Sequence, residues 1–208
     1  RLRCDWSSDV CSSDLAADVD GDGDMDVLSS FSGNGNNLTW HENDGSESFT
    51  EYSIGSNGQT NSVYAADVDG DGDMDVLPGS LGDGGTVYWY ENTTSTAFDP
   101  EFTENTITTN ADLASSVYAA DVDTDGDMDV LSADHGGSIN WYENDGSQSF
   151  TSHIIASGNE FFSSVYAVDV DSDGDIDILS GGGGNEEISW YENDGSQNFT
   201  AQIISSGD

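Results

Sequence analysis

Hydrophobic and polar positions recur along the chain with a period of about fifty residues. The phrase Ser-Val-Tyr-Ala-Ala-Asp-Val-Asp occupies residues 62–69 and 116–123, returns with one change at 164–171, and persists in part at 16–20. The aspartates that end its apolar stretch are residues 18, 67, 121 and 169, so successive copies lie 49, 54 and 48 residues apart. A fixed period of this size is typical of proteins built from stacked repeats.

Each repeat predicts four short strands. In the third repeat they are the apolar stretches 117–120 and 128–131, the alternating stretch 139–143, and the stretch 150–155 after an Asn-Asp-Gly-Ser turn at 144–147. No stretch shows helical periodicity. Four antiparallel strands per unit are the pattern of a β-propeller blade, so we predict an all-β chain of four blades.

The predicted blades span approximately residues 16–61, 62–115, 116–163 and 164–208, with a Thr-rich insertion at 93–110 interpreted as a lengthened loop. Residues 1–15 do not follow the repeat, and residues 5–15 resemble a translated sequencing adapter. We therefore leave residues 1–15 out of the fold prediction.

Aromatic residues recur at one place in every repeat, where Trp40, Trp89, Trp141 and Trp190 stand in the third predicted strand. A single blade cannot cover both of its faces, so these residues are expected to pack between neighbouring blades. The alternative is a platform on which sugar rings stack.

The strongly negative charge of the chain argues against negatively charged partners. The chain has 42 acidic and 2 basic residues, a formal charge of −40, and no Lys or Arg after Arg3. Binding to nucleic acid or to anionic lipid depends on Lys and Arg, so neither is expected as a partner. No apolar run is long enough to span a membrane, so membrane insertion is not expected.

The acidic residues are concentrated in a nine-residue motif, Asp-x-Asp-x-Asp-Gly-x-x-Asp, that follows the first strand of each repeat. Oxygen ligands in this number suit Ca²⁺, and the glycine permits the sharp turn that brings the ninth residue back. We predict one calcium ion per repeat, four in total, and no other cofactor. The predicted ligands are Asp18, Asp20, Asp22, Asp26, Asp67, Asp69, Asp71, Asp75, Asp121, Asp123, Asp125, Asp129, Asp169, Asp171, Asp173 and Asp177.

The end of the motif separates it from other calcium loops. An EF-hand carries Glu at its twelfth position, and this chain has Ser or Pro there in all four repeats. The seventh residue of the motif, Asp127 in the third repeat, is expected to point outward. The apolar eighth residue, Met128 in that repeat, is expected to pack into the sheet.

These residues resemble the FG-GAP/VCBS repeats of integrin α-chain heads and of many secreted bacterial proteins. The resemblance covers residues 15–208 and is most specific in the acidic motif and the Met-Asp-Val-Leu strand after it. It implies a propeller with calcium in the loop between the first two strands of each blade. It also implies a larger ring of about seven blades, of which the four repeats are expected to be a part.

We therefore predict a non-catalytic calcium-binding module of a secreted or cell-surface protein, serving adhesion or ligand binding. Its partner is expected to be an extracellular protein or a carbohydrate. The alternative is an accessory propeller of a secreted enzyme that degrades polysaccharides or other polymers. His41, His135 and His153 stand at unrelated places in their repeats, so they do not form a repeated catalytic site.

Overall fold

The computed structural model describes residues 11–31, 38–55, 59–82, 84–93, 100–158, 161–182 and 187–205. Every element in these ranges is a strand. The sixteen strands are β1 (Cys11–Ala17), β2 (Asp26–Phe31), β3 (Leu38–Asn43), β4 (Phe49–Gly55), β5 (Thr60–Ala66), β6 (Asp75–Ser80), β7 (Val87–Asn92), β8 (Phe102–Thr108), β9 (Ala114–Ala120), β10 (Asp129–Asp134), β11 (Ser138–Asn144), β12 (Phe150–Ser157), β13 (Phe162–Val168), β14 (Asp177–Gly182), β15 (Glu187–Asn193) and β16 (Phe199–Ser205).

The strands form four separate antiparallel sheets, each made of four strands consecutive in the sequence. We call them blades 1 to 4, in chain order. The first strand of each blade packs beside the first strand of the next, so that β1, β5, β9 and β13 follow one another. The predicted all-β fold of four-stranded propeller blades is therefore confirmed.

Three details differ from the sequence analysis. β5, β9 and β13 each begin two residues before the predicted start of their repeat. The insertion at 93–110 is not a loop throughout, because Phe102–Thr108 forms β8, the fourth strand of blade 2. β1 begins at Cys11, so the end of the segment left out of the fold prediction completes the sheet of blade 1.

Successive residues of a strand face different neighbouring blades, because side chains alternate between the two faces of a sheet. In β10, Val130 packs in the core between blades 2 and 3, and Leu131 packs in the core between blades 3 and 4. In β11, Tyr142 faces blade 2 and Trp141 faces blade 4. In the described part of the chain, the hydrophobic core therefore consists of three clusters, each shared by two neighbouring blades.

Three of the four recurring tryptophans belong to these shared clusters, whereas Trp190 of blade 4 is half-buried and lies outside them. Trp40, Trp89 and Trp141 are 1–3% exposed, which confirms their predicted place between blades and removes them as a sugar platform. A second aromatic row lies on the first strands, where the rings of Tyr64 and Tyr118 are 4.5 Å apart. The rings of Tyr118 and Tyr166 are 4.7 Å apart, so this row runs across three blades.

No helix in the described ranges is long and apolar enough to cross a membrane.

Candidate metal-binding loops

The four acidic motifs form the connections between the first and second strands of the blades. We call residues 18–26, 67–75, 121–129 and 169–177 loops 1 to 4 and number their residues as positions 1 to 9. The predicted ligands at positions 1, 3 and 5 lie in the loop itself. The ligand at position 9 is the first residue of the second strand of its blade.

In each loop three carboxylates come together, with one oxygen of each within 4.8 Å of the others. Loops 1 and 2 group positions 1, 3 and 5, and loops 3 and 4 group positions 1, 3 and 9. The groups are Asp18, Asp20 and Asp22; Asp67, Asp69 and Asp71; Asp121, Asp123 and Asp129; Asp169, Asp171 and Asp177. Of the predicted ligands, Asp26, Asp75, Asp125 and Asp173 lie outside these groups.

Backbone amides within the loop orient its carboxylates. In loop 3 the amide of Asp125 donates to Asp123 Oδ1 at 3.3 Å, and the amide of Asp127 donates to Asp125 Oδ1 at 2.9 Å. The amide of Gly126 donates to Asp121 Oδ2 at 3.1 Å. Gly126 has a φ of 103°, a conformation that L-residues with a side chain rarely adopt. The other three loops repeat these bonds.

The position 9 aspartates are completely buried, at 0% exposure. In blade 3, Asp129 Oδ2 accepts a hydrogen bond from the amide of Val122 at 3.0 Å, and Asp129 Oδ1 accepts one from the amide of Asn144 at 2.8 Å. The same two bonds occur in the other blades. Position 9 therefore ties the loop to the end of the third strand, whether or not it also binds a metal.

Burial raises the pKa of several loop carboxyls, because a charged carboxylate loses hydration inside the protein. The pKa rises to about 7 for Asp75 and to about 6 for Asp129. The pKa of Asp20 also rises to about 6, again first through burial, with Asp26 and Asp22 as neighbouring negative charges. An aspartate in a model peptide titrates at 3.8.

We therefore expect the metal-free protein to be less stable at pH 8 than at pH 5. Between 3.8 and about 7 the folded chain retains protons on these carboxyls that the unfolded chain has already released, so stability falls as pH rises through this window. Urea unfolding in calcium-depleted buffer of constant ionic strength, measured at both pH values, tests this. An equal or higher free energy of unfolding at pH 8 would contradict it.

The expected roles of positions 7 and 8 were wrong in part. Asp127 at position 7 is half-buried rather than outward, because it lies against Gly146 of the turn between β11 and β12. At position 8, Met128 packs against the core between blades 2 and 3 as expected. In the first two loops the residue is substantially exposed, at 53% for Met25 and 40% for Met74.

Sequence reasoning missed the asparagine that ends the third strand of every blade. Asn144, predicted as the first residue of a turn, is instead the last residue of β11 and is 2% exposed. Its side chain donates to the carbonyl of Met128 at 3.1 Å, and the equivalent asparagines make the equivalent bond. The signal was present in the sequence, since Asn closes all four copies of the Trp-x-Glu-Asn phrase.

Among the described residues, one basic side chain contacts a carboxylate: His153 Nε2 lies 2.6 Å from Glu143 Oε2, within hydrogen-bonding distance. The His153 ring also stacks on Trp141, with 4.6 Å between ring centroids. Within the described ranges, the loop carboxylates have no basic side chain as a partner. Asp18 Oδ1 is buried and accepts no hydrogen bond within the described part of the chain, so an oxygen in loop 1 is left open to a cation.

Comparison with known proteins agrees with this architecture. Among solved structures, 64 chains match, including a crystal structure of BBS1N in complex with ARL6DN, soaked with lead. That match has a TM-score of 0.60 and 11% identity, covers 94% of this chain and 56% of the other, and so concerns the fold alone. A search of curated proteins finds no significant match. The family model of the FG-GAP-like repeat matches residues 18–77, 80–132 and 121–180, and the chain therefore belongs to the FG-GAP-like repeat family.

Proposed function

We propose that this chain is a non-catalytic, calcium-binding repeat module of a secreted or cell-surface protein, and that it serves adhesion or ligand binding. The observation that carries the calcium proposal is the convergence of three carboxylates in each of four loops, with one oxygen of each within 4.8 Å of the others.

Electrostatics supports a bound cation. Two carboxylates about 4 Å apart repel by about 4 kcal/mol at the effective dielectric near a protein surface. No Lys or Arg follows Arg3, so side chains cannot balance four such clusters. A divalent cation in each loop supplies the missing positive charge.

The donor set fits calcium. The loops offer carboxylate and backbone oxygens, and Ca²⁺ accepts six to eight such ligands in flexible geometry. The residues that would hold it are the aspartates at positions 1, 3, 5 and 9. The ion would neutralise the loop and hold the connection between the first and second strands in one conformation.

The affinity expected of such sites supports an extracellular location. Extracellular calcium modules bind at about 10⁻⁴ to 10⁻³ M, so their sites fill outside cells and stay largely empty in the cytosol. FG-GAP repeats occur in extracellular proteins, which supports the same location. With a formal charge of −40, a protein partner is expected to present a basic surface, while a neutral carbohydrate would depend on other contacts.

Isothermal titration calorimetry with calcium, at physiological salt, tests the proposal. We expect four ions per chain and three for the double variant Asp121→Asn, Asp123→Asn, which removes two charges from loop 3. Asp145→Asn, in the exposed turn of the same blade, is the matched control and is expected to keep four. An unchanged stoichiometry in the double variant, or no saturable binding by the unaltered chain, would overturn the proposal.

A further inference from the structure

Loops 1 to 3 each lie beneath the blade that follows them. The valine at position 2 shows this, because Val19, Val68 and Val122 are only 1–2% exposed. Its counterpart in loop 4, Val170, is 40% exposed. β16 is the last strand in the described part of the chain, and within that part no further blade covers loop 4.

Hydrogen bonds connect two of these loops to the following blade. The side chain of Asn92 in blade 2 donates to the carbonyl of Val19 in loop 1 at 3.0 Å. The side chain of Asn144 in blade 3 donates to the carbonyl of Val68 in loop 2 at 3.1 Å. Each of these carbonyls lies between the position 1 and position 3 aspartates of its loop.

Loop 2 has a second contact of this kind. Gln148, in the turn between β11 and β12 of blade 3, donates from Nε2 to Asp69 Oδ2 at 3.1 Å. The other oxygen of the same carboxylate accepts the amide of Asp71 at 3.2 Å. The position 3 carboxylate of loop 2 is therefore oriented from its own blade and from the next one.

Blade 4 makes the own-blade contact without the cross-blade one. Within the described ranges, the side chain of Asn193 donates to the carbonyl of Ile176 in its own loop at 3.1 Å and not to loop 3. The side of blade 4 that faces away from blade 3 is also apolar. Ile188 is 48% exposed there, whereas Ile139, at the same place in blade 3, is 0% exposed beneath blade 4.

We propose that Asn92, Asn144 and Gln148 are positioning residues for the metal loop of the preceding blade, so that loop 2 binds calcium more tightly than loop 4. This inference rests on the calcium binding proposed above. A loop whose carbonyl and carboxylate are already held in place loses less conformational freedom on binding an ion. Because coupling is reciprocal, calcium in one loop also strengthens the contact with the next blade.

The glycine at position 6 allows each loop to be observed separately. The amides of Gly23, Gly72, Gly126 and Gly174 donate to the position 1 aspartates of their loops at 3.0–3.1 Å. A calcium titration of the ¹⁵N-labelled chain, followed by NMR at these four amides, therefore gives four binding curves. We expect half-saturation at Gly174 to require about fivefold more calcium than at Gly72, the effect of one hydrogen bond of about 1 kcal/mol.

Single substitutions test the positioning residues. Asn144→Ala is expected to shift the Gly72 curve about fivefold toward weaker binding and to leave the Gly174 curve in place. Gln148→Ala changes an exposed side chain and is expected to act in the same direction without affecting folding. The matched controls, Asn193→Ala and Gln197→Ala, alter the same positions of blade 4 and are expected to leave the curve of the preceding loop, Gly126, unchanged.

The outcomes separate the two proposals. A calcium response with equal curves at Gly72 and Gly174 would overturn this inference alone, as would an unchanged Gly72 curve in both Asn144→Ala and Gln148→Ala. A variant that shifts all four curves equally would show a general structural effect and would also overturn it. If none of the four amides responds to calcium, the calcium-binding function itself is refuted.

Discussion

Removing calcium is expected to lower the free energy of unfolding of this chain by about 4–9 kcal/mol. At 5 mM free calcium, a site with a dissociation constant of about 10⁻⁴ to 10⁻³ M adds about 1.1–2.3 kcal/mol to the stability of the folded state, and four loops contribute together. The measurement is urea unfolding, followed by tryptophan fluorescence, with calcium and with excess chelator.

General screening of the −40 charge has to be separated from specific binding. The matched control is chelated protein with about 15 mM extra KCl, which restores the ionic strength of the calcium sample. Mg²⁺ at the same concentration is expected to stabilise less, because it demands stricter geometry and dehydrates reluctantly. Equal midpoints with calcium and with matched KCl would refute the metal-bracing role of the loops.

Asp129→Ala is expected to destabilise the metal-free protein by about 4 kcal/mol. The substitution leaves the buried amides of Val122 and Asn144 without an acceptor, and each unsatisfied group costs about 1–3 kcal/mol. Asp129→Asn keeps one acceptor oxygen but turns an amide toward the other donor, so an intermediate loss is expected. Urea unfolding in calcium-depleted buffer measures both effects independently of metal binding.

The control for this prediction is Asp145→Ala, which removes the same chemical group from an exposed turn of the same blade. Asp145 Oδ1 accepts hydrogen bonds from the amides of Ser147 and Ser149, but water can replace this acceptor in the exposed turn, so the cost is expected to stay within about 1 kcal/mol. If Asp129→Ala costs no more than Asp145→Ala in the absence of metal, the buried carboxylate does not tie the loop to the third strand.

The sequence predicted the architecture because the relevant signals are local and repeated. Alternating stretches such as 139–143 and the Asn-Asp-Gly-Ser turns specify strands and hairpins without reference to the rest of the chain. Four copies of the acidic motif placed the loops between the first and second strands, where the structure has them. β8 was missed because its sequence, Phe-Thr-Glu-Asn-Thr-Ile-Thr, has only two apolar residues and lies within a Thr-rich stretch whose composition suggests a loop.

The roles of the residues within the loops were less predictable, because the spacing of residues along the chain does not show how deeply each side chain is buried. The motif treats Asp125 and Asp129 as equivalent ligands, but Asp125 is exposed and Asp129 is completely buried against two backbone amides. Contacts between blades also could not be predicted from the sequence. The hydrogen bond from the Asn144 side chain to the Val68 carbonyl joins residues 76 positions apart. Only the packing of blade 3 against blade 2 brings these two residues together.

The alternation of side chains in the second strand has a consequence for how such proteins change over evolution. Because Val130 meets the preceding blade and Leu131 the following one, and other blades use similar residues at the same places, every blade offers the same pair of surfaces. Duplicating or deleting one whole repeat then joins surfaces that already fit. The number of blades can therefore change in single steps, without any new interface having to arise by point mutation.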